Sequence, residues 1–293
     1  MHTGILEYRR ARWLRLSLVL VAASIALYVT QDPDTPPNGG TWQGYTLGGV
    51  GATLIVWLSL LGVRKRRYRS TLGGTVAGWT SAHVYLGAGL IVIATLHSAG
   101  QLGWNVHSLA YVLVCLVVVS GFAGIYLYAS VPRKSLENRD GRSRDALLAE
   151  LGELDERGRQ LAALCGADIA AAAQSAIRRT EVGGGVVSQL RRRDRSTLNI
   201  VAEGTPSFVE NRDQKRILAL IAARVPAATR SSEVNTLQEL LSVMGRRQSV
   251  VRRLARDVQL DALLRIWLYL HIPLTVVLLF TLAIHVLSTF LYW

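Results

Sequence analysis

Two stretches, HVYLGAGLIVIATLH at 83–97 and HIPLTVVLLFTLAIH at 271–285, decide how this chain reads. Each opens and closes on histidine, and neither contains an Asp, Glu, Lys or Arg. An interval of 14 residues falls about 40° short of four helical turns, so both histidines of a stretch share one helix face. At 1.5 Å per residue they stand about 21 Å apart along the axis. A hydrocarbon core about 30 Å thick therefore holds one near each boundary.

Outward from these stretches the chain is written for a bilayer. Half of its 293 residues are hydrophobic, and a span takes roughly 20 apolar residues. Runs of that order occupy 13–30, 45–63, 79–99, 106–130 and 263–290. The first follows arginines as a signal peptide does, but its length and the lack of a small-x-small cleavage site before Gln31 make it a retained span. The expected fold is an all-α membrane protein of five transmembrane helices in a bundle. Residues 1–130 carry helices one to four, 131–262 form a mostly helical cytoplasmic insert, and 263–293 supply helix five.

The net charge of +13 belongs to topology rather than to nucleic-acid binding. Arg9, Arg10, Arg12 and Arg15 precede the first span, and Arg64, Lys65, Arg66, Arg67 and Arg69 follow the second. The insert has 23 Lys and Arg against 17 Asp and Glu, whereas 31–44 and 100–105 have no Lys or Arg. The positive-inside rule puts the N-terminus and the insert in the cytoplasm and the C-terminus outside an inner membrane. The third and fifth spans then run parallel. His83 faces His271 on the inner side, and His97 faces His285 on the outer side.

Two imidazoles from opposite helices at each of two levels make two six-coordinate haem sites, with His83, His97, His271 and His285 as the iron ligands. A zinc ion needs its ligands around one point, which pairs so far apart along the axis do not give. A proton relay would want Asp or Glu in the spans. Histidines that merely line a helix contact would not need equal spacing on parallel helices. Cys115 and Cys165 form no CxxC or CxxCH, which speaks against iron–sulfur ligation and covalently attached haem.

H-x13-H on two parallel helices separated by one antiparallel helix resembles the di-haem core of the cytochrome b superfamily. It is similar as well to the membrane domain of ferric reductases and NADPH oxidases, with ligands on the third and fifth helices. The resemblance rests on 83–97 and 271–285 and covers about 79–130 and 263–290. It implies two non-covalent b haems and transmembrane electron transfer. The chain departs from the family in having no recognisable quinone-site signature and no C-terminal flavin or nicotinamide domain.

Several residues are candidates for supporting roles. Gly87 and Gly89, with Gly121 and Gly124, give a porphyrin close access or serve helix packing alone. Arg265 pairs with a haem propionate or snorkels at the interface. His107 begins the fourth span near the level of His97, and is a propionate partner, a quinone-pocket residue, a substitute ligand or a plain interfacial histidine. Trp79, Trp104 and Trp267 sit near span ends, where indole favours the interface. Pro132 marks the exit of the fourth span. In the insert, 143–180 has helical periodicity, Gly183–Gly185 break it, 186–209 has the alternation of a short hairpin, and a helix from about Ser232 runs into the last span. The basic run RRRDR at 191–195 lies beside the glycines, but neither GxGxxG nor GxxxxGK[ST] is present. A solvated or lipid-headgroup-facing surface is the expected role.

The expected function is an electron-transfer subunit of a membrane redox complex rather than a self-contained enzyme. Its partners would be a flavin or iron–sulfur protein inside and a c-type cytochrome outside. A quinone-reactive membrane anchor, and a haem-free membrane scaffold or sensor, are the alternatives.

Overall fold

The computed structural model describes residues 8–32, 38–67, 74–192, 196–202 and 205–291. His2 and residues 193–195 of the basic run lie outside the described residues. The described chain is almost entirely helical and divides into two compact units, residues 1–126 with 267–293, and residues 127–266.

The first unit contains α1 (Arg12–Val29), α2 (Trp42–Ser59), the short α3 (Leu61–Arg66) and α4 (Val76–Ser98). It also takes in part of α5 (Val106–Asn138) and of α10 (Ser231–Leu291). Among the described residues, five helices are long and apolar enough to cross a membrane: Arg12–Val29, Trp42–Arg66, Val76–Ser98, Val106–Asn138 and Ser231–Leu291. Their starts are written locally. The Thr41, Thr75 and Asn105 side chains accept the backbone N–H of Gly44, Gly78 and Ser108, satisfying donors that the first turn of a helix leaves free. Ala99 and Gly100 adopt left-handed conformations (φ 49° and 72°) that close α4.

The spans meet around Ile55, Leu58, Ala82, Leu86, Leu90, Leu113, Val114 and Leu278. α4 packs against both α1 and α2. A Cβ at Gly89 would stand 2.6 Å from Ser17 Oγ, so this glycine is used by helix packing. Ser17 Oγ in turn donates to the Tyr85 carbonyl at 2.8 Å. Outward-facing Leu18, Val19, Val119, Phe122 and Phe280 are exposed. Apolar surface of that extent is a liability in water and ordinary in lipid.

The second unit holds α6 (Arg144–Ala163), α7 (Ala167–Arg178), α8 (Val186–Leu190), the antiparallel hairpin β1 (Thr197–Ala202) and β2 (Thr205–Glu210), α9 (Lys215–Arg224) and the first part of α10. Leu161, Ile169, Ala173, Leu198, Ile217, Leu237 and Leu240 form its core. Within it Arg247 is 1% exposed, and its guanidinium donates to Asp155 (2.5 Å), Gln214 (3.0 Å) and Thr180 (2.8 Å).

α5 runs past Pro132 to Asn138, because one missing N–H interrupts the ladder without stopping it. Two local expectations change. The helix expected over 143–180 breaks at Gly166, whose φ of 99° favours glycine. The stretch 186–209 opens with the helical turn α8, and the hairpin occupies its second half.

Candidate functional site

The first unit brings the histidines together in two pairs. The His83 and His271 ring centroids are 6.4 Å apart, and those of His97 and His285 are 6.0 Å apart. Two imidazoles bound end-on to one metal ion through bonds of about 2 Å, with about 1 Å more from nitrogen to ring centre, hold their centroids about 6 Å apart. Both pairs have that separation.

Hydrogen bonds fix the tautomer of three of the four rings. His83 Nδ1 lies 3.1 Å from the Leu58 carbonyl, and His97 Nδ1 lies 2.8 Å from the Gly44 carbonyl. A carbonyl only accepts, so both Nδ1 atoms carry the proton. His271 Nδ1 is 2.7 Å from Ser120 Oγ, whose single hydroxyl proton goes to the Val117 carbonyl at 2.7 Å. Ser120 therefore accepts from His271 as well. Nε2 of all three keeps its lone pair, the arrangement that a metal-ligating histidine needs. The fourth ring differs: His285 Nδ1 is buried without a hydrogen-bond partner.

The surroundings of each pair explain residues that the sequence presented as packing. A Cβ at Gly48 would lie 2.8 Å from His97 Cε1 and 3.1 Å from its Nδ1, so α2 must have glycine there to admit the ring. Gly121 approaches His271, with a Cβ position 3.9 Å from Cε1. At Gly124 a Cβ would fall 2.1 Å from Trp267, whose indole stacks on His271 at 5.2 Å and donates to the Ser120 carbonyl at 2.7 Å. Trp267 is thus built into the His271 site rather than being only a span-end indole. A Cβ at Gly87 would meet only Leu58 Cδ1, at 4.0 Å, so that glycine touches no histidine. Thr275 bonds its hydroxyl to the His271 carbonyl, within its own helix. Arg265 is exposed and belongs to the second unit.

His107 lies with the second pair. Its ring centroid is 4.5 Å from that of His285, at 84°. That is closer than two ligands of one ion stand, so His107 flanks His285 rather than opposing it. A cavity of about 560 Å³ opens here, lined by His97, His107 and His285 with Leu47, Leu90 and Leu278. Its size falls in the range of small-molecule sites.

Among the described residues, no group of three or more His, Cys, Asp or Glu side chains is placed to hold a metal ion. A porphyrin brings four nitrogens of its own and asks the protein for two axial donors only. The donor set fits that demand: imidazoles paired at 6.4 and 6.0 Å, Nε2 lone pairs available on three of the four rings, glycine beside His97, an apolar cavity.

The sequence singles out the four histidines and His107, and the structure brings these five rings together in two groups. The sequence does not single out Ser120, the Leu58 and Gly44 carbonyls, Gly48 as a ring cradle, or Trp267 as a stacking partner. Ser120 alone had a signal, a polar residue inside the apolar run of the fourth span.

The fold and site together define, among the described residues, a helical protein with five candidate membrane spans and two histidine pairs between them. Comparison with family models, with curated proteins and with solved structures gave no match to the chain.

Proposed function

We propose that this chain is a di-haem b-type membrane cytochrome that carries electrons across the bilayer as a subunit of a redox complex. The observation that carries the reading is the pair of imidazole–imidazole separations, 6.4 and 6.0 Å, at both ends of two parallel histidine-bearing helices. His83 and His271 would hold one haem, His97 and His285 the other. Bound haem supplies reversible one-electron chemistry. The residues of the chain do the rest. Leu58, Gly44 and Ser120 orient the rings of His83, His97 and His271, Trp267 braces His271 as well, and the apolar walls would exclude water. By the positive-inside rule, the His83/His271 pair would lie towards the cytoplasmic side. Redox partners would then be a flavin or iron–sulfur protein inside and a c-type cytochrome outside. The resemblance to the cytochrome b superfamily and to ferric-reductase membrane domains supports the same reading.

The test is a pyridine haemochrome assay with redox titration on the purified chain. Two haems per chain are expected, with His83→Ala and His271→Ala removing one spectral component and His97→Ala and His285→Ala the other. Protein that takes up no haem would refute the proposal and favour a scaffold or sensor.

The cavity beside His107, with Tyr45, Gln101, Asn105 and Ser108 on its lining, supports a second reading in which a quinone is the redox partner at that end. Reduction of the haems by a short-chain quinol, lost in His107→Ala, would favour it.

A further inference from the structure

The second unit contains a cavity of about 620 Å³ that the electron-transfer reading does not use. Gly183, Arg191, Arg192, Arg212, Lys215 and Arg252 line it. Gly183 of the glycine cluster and the first two residues of the basic run thereby come to one place. Two carboxylates, Glu181 and Asp213, also face it. Asp213 is engaged by Arg252 through two hydrogen bonds of 2.5 Å.

Several arginines elsewhere in the unit are matched by carboxylates: Arg142 and Arg246 with Glu150, Arg144 with Asp261, Arg157 with Glu239, Arg247 with Asp155. Among the described residues, the side chains of Arg191, Arg192, Arg212 and Lys215 have no ion pair and no hydrogen bond. Four cations round one concavity repel one another, and like charges are held together at a cost that an anion between them removes. The guanidinium fork takes oxyanions two oxygens at a time, and phosphate offers more than one such edge. Gly183, at φ 112°, leaves that wall without a side chain, so backbone can approach a ligand closely.

We propose that this cavity binds a phosphate-bearing anion through Arg191, Arg192, Arg212 and Lys215. The group recognised is the phosphate itself, whether on an anionic phospholipid headgroup or on a soluble phosphate compound. Neither a nucleotide motif nor the histidine sites enter the argument, so the proposal stands or falls apart from haem binding.

The experiment uses the full chain, delipidated in neutral detergent at constant ionic strength. Calorimetric titration with inorganic pyrophosphate forms one arm. Dioctanoyl phosphatidylglycerol, with dioctanoyl phosphatidylcholine as the zwitterionic control, forms the other. The expected result is saturable binding in at least one arm, weakened tenfold or more in Arg191→Gln/Arg212→Gln and less in Lys215→Gln. Arg230→Gln, an exposed arginine that does not line the cavity, should bind as the parent does. Binding of pyrophosphate assigns a soluble source, and binding of phosphatidylglycerol alone assigns a headgroup. Because the four cations are exposed, far-UV circular dichroism should show the variants folded. No saturable binding in either arm overturns the proposal, and so does binding that the cavity variants leave unchanged.

Discussion

Gly48→Ala is the substitution whose consequence the structure fixes most closely. The new methyl would stand 2.8 Å from His97 Cε1 where ordinary contact begins at 3.4 Å, so the ring must retreat by about 0.6 Å. A binding constellation tolerates displacements of about 0.5 Å. The retreat also stretches the 2.8 Å hydrogen bond from His97 Nδ1 to the Gly44 carbonyl. Losing an outer partner of a metal ligand typically weakens metal binding about 10–100-fold. Overpacking adds about 1–3 kcal/mol against the ligated state. The expected protein retains the haem of His83 and His271 and is depleted in that of His97 and His285, read as a fall in haemochrome content and the loss of one step in a potentiometric titration. Gly49→Ala is the internal control, because a Cβ there meets nothing within 4 Å. A Gly48→Ala protein with two haems at unaltered potentials would refute the argument, and equal damage from Gly49→Ala would reduce it to general helix disturbance.

Other consequences follow from the same contacts. Ser120→Ala removes the acceptor for His271 Nδ1–H. A hydrogen bond worth about 1 kcal/mol corresponds to roughly 40 mV for one electron; the His83/His271 haem should titrate more positive by up to that amount, and an unmoved potential would show the contact to be idle. Arg247→Met leaves Asp155 without its cation. Breaking a buried pair costs about 3–5 kcal/mol, whereas the exposed Arg252 should cost under about 1 kcal/mol on replacement by alanine; thermal melting of the two variants decides. Burial pushes the Glu150 carboxyl up, but hydrogen bonds and charge from Arg142 and Arg246 outweigh it and hold the group below the ordinary value of 4.5. The folded-state value is depressed, so the stabilisation is present above about pH 4.5 and is lost as pH falls through the lowered value. Glu150→Gln should flatten the acid limb of stability against pH, and an unchanged limb would exclude this carboxylate as its source.

The spans and the histidine faces were legible because lipid imposes a length and a helix imposes a period, and both act on neighbouring residues. What holds the rings was not legible. The partners of His97 and His271 come from residues 44 and 120, separated from them by stretches with no shared period. Gly48 carries no signal as a ring cradle, since nothing local distinguishes room for a helix from room for an imidazole. Arg247 could not be recognised as buried, because arginine in a charged amphipathic helix ordinarily marks the wet face. Gly166 stopped a helix that composition alone would have continued, through a backbone angle that residue identity permits but does not announce.

The first unit is discontinuous in sequence, with residues 267–293 joining a body made by residues 1–126. Partners in each histidine pair are 188 positions apart. At about 5–20 residues per second of synthesis, the first member of each pair waits on the order of 10–40 s for the second. During that interval His83 and His97 are half-sites on a four-span intermediate. On the proposed di-haem reading, ligation by both members of a pair would be an event of late assembly, timed by the emergence of the last helix rather than by haem supply at the ribosome.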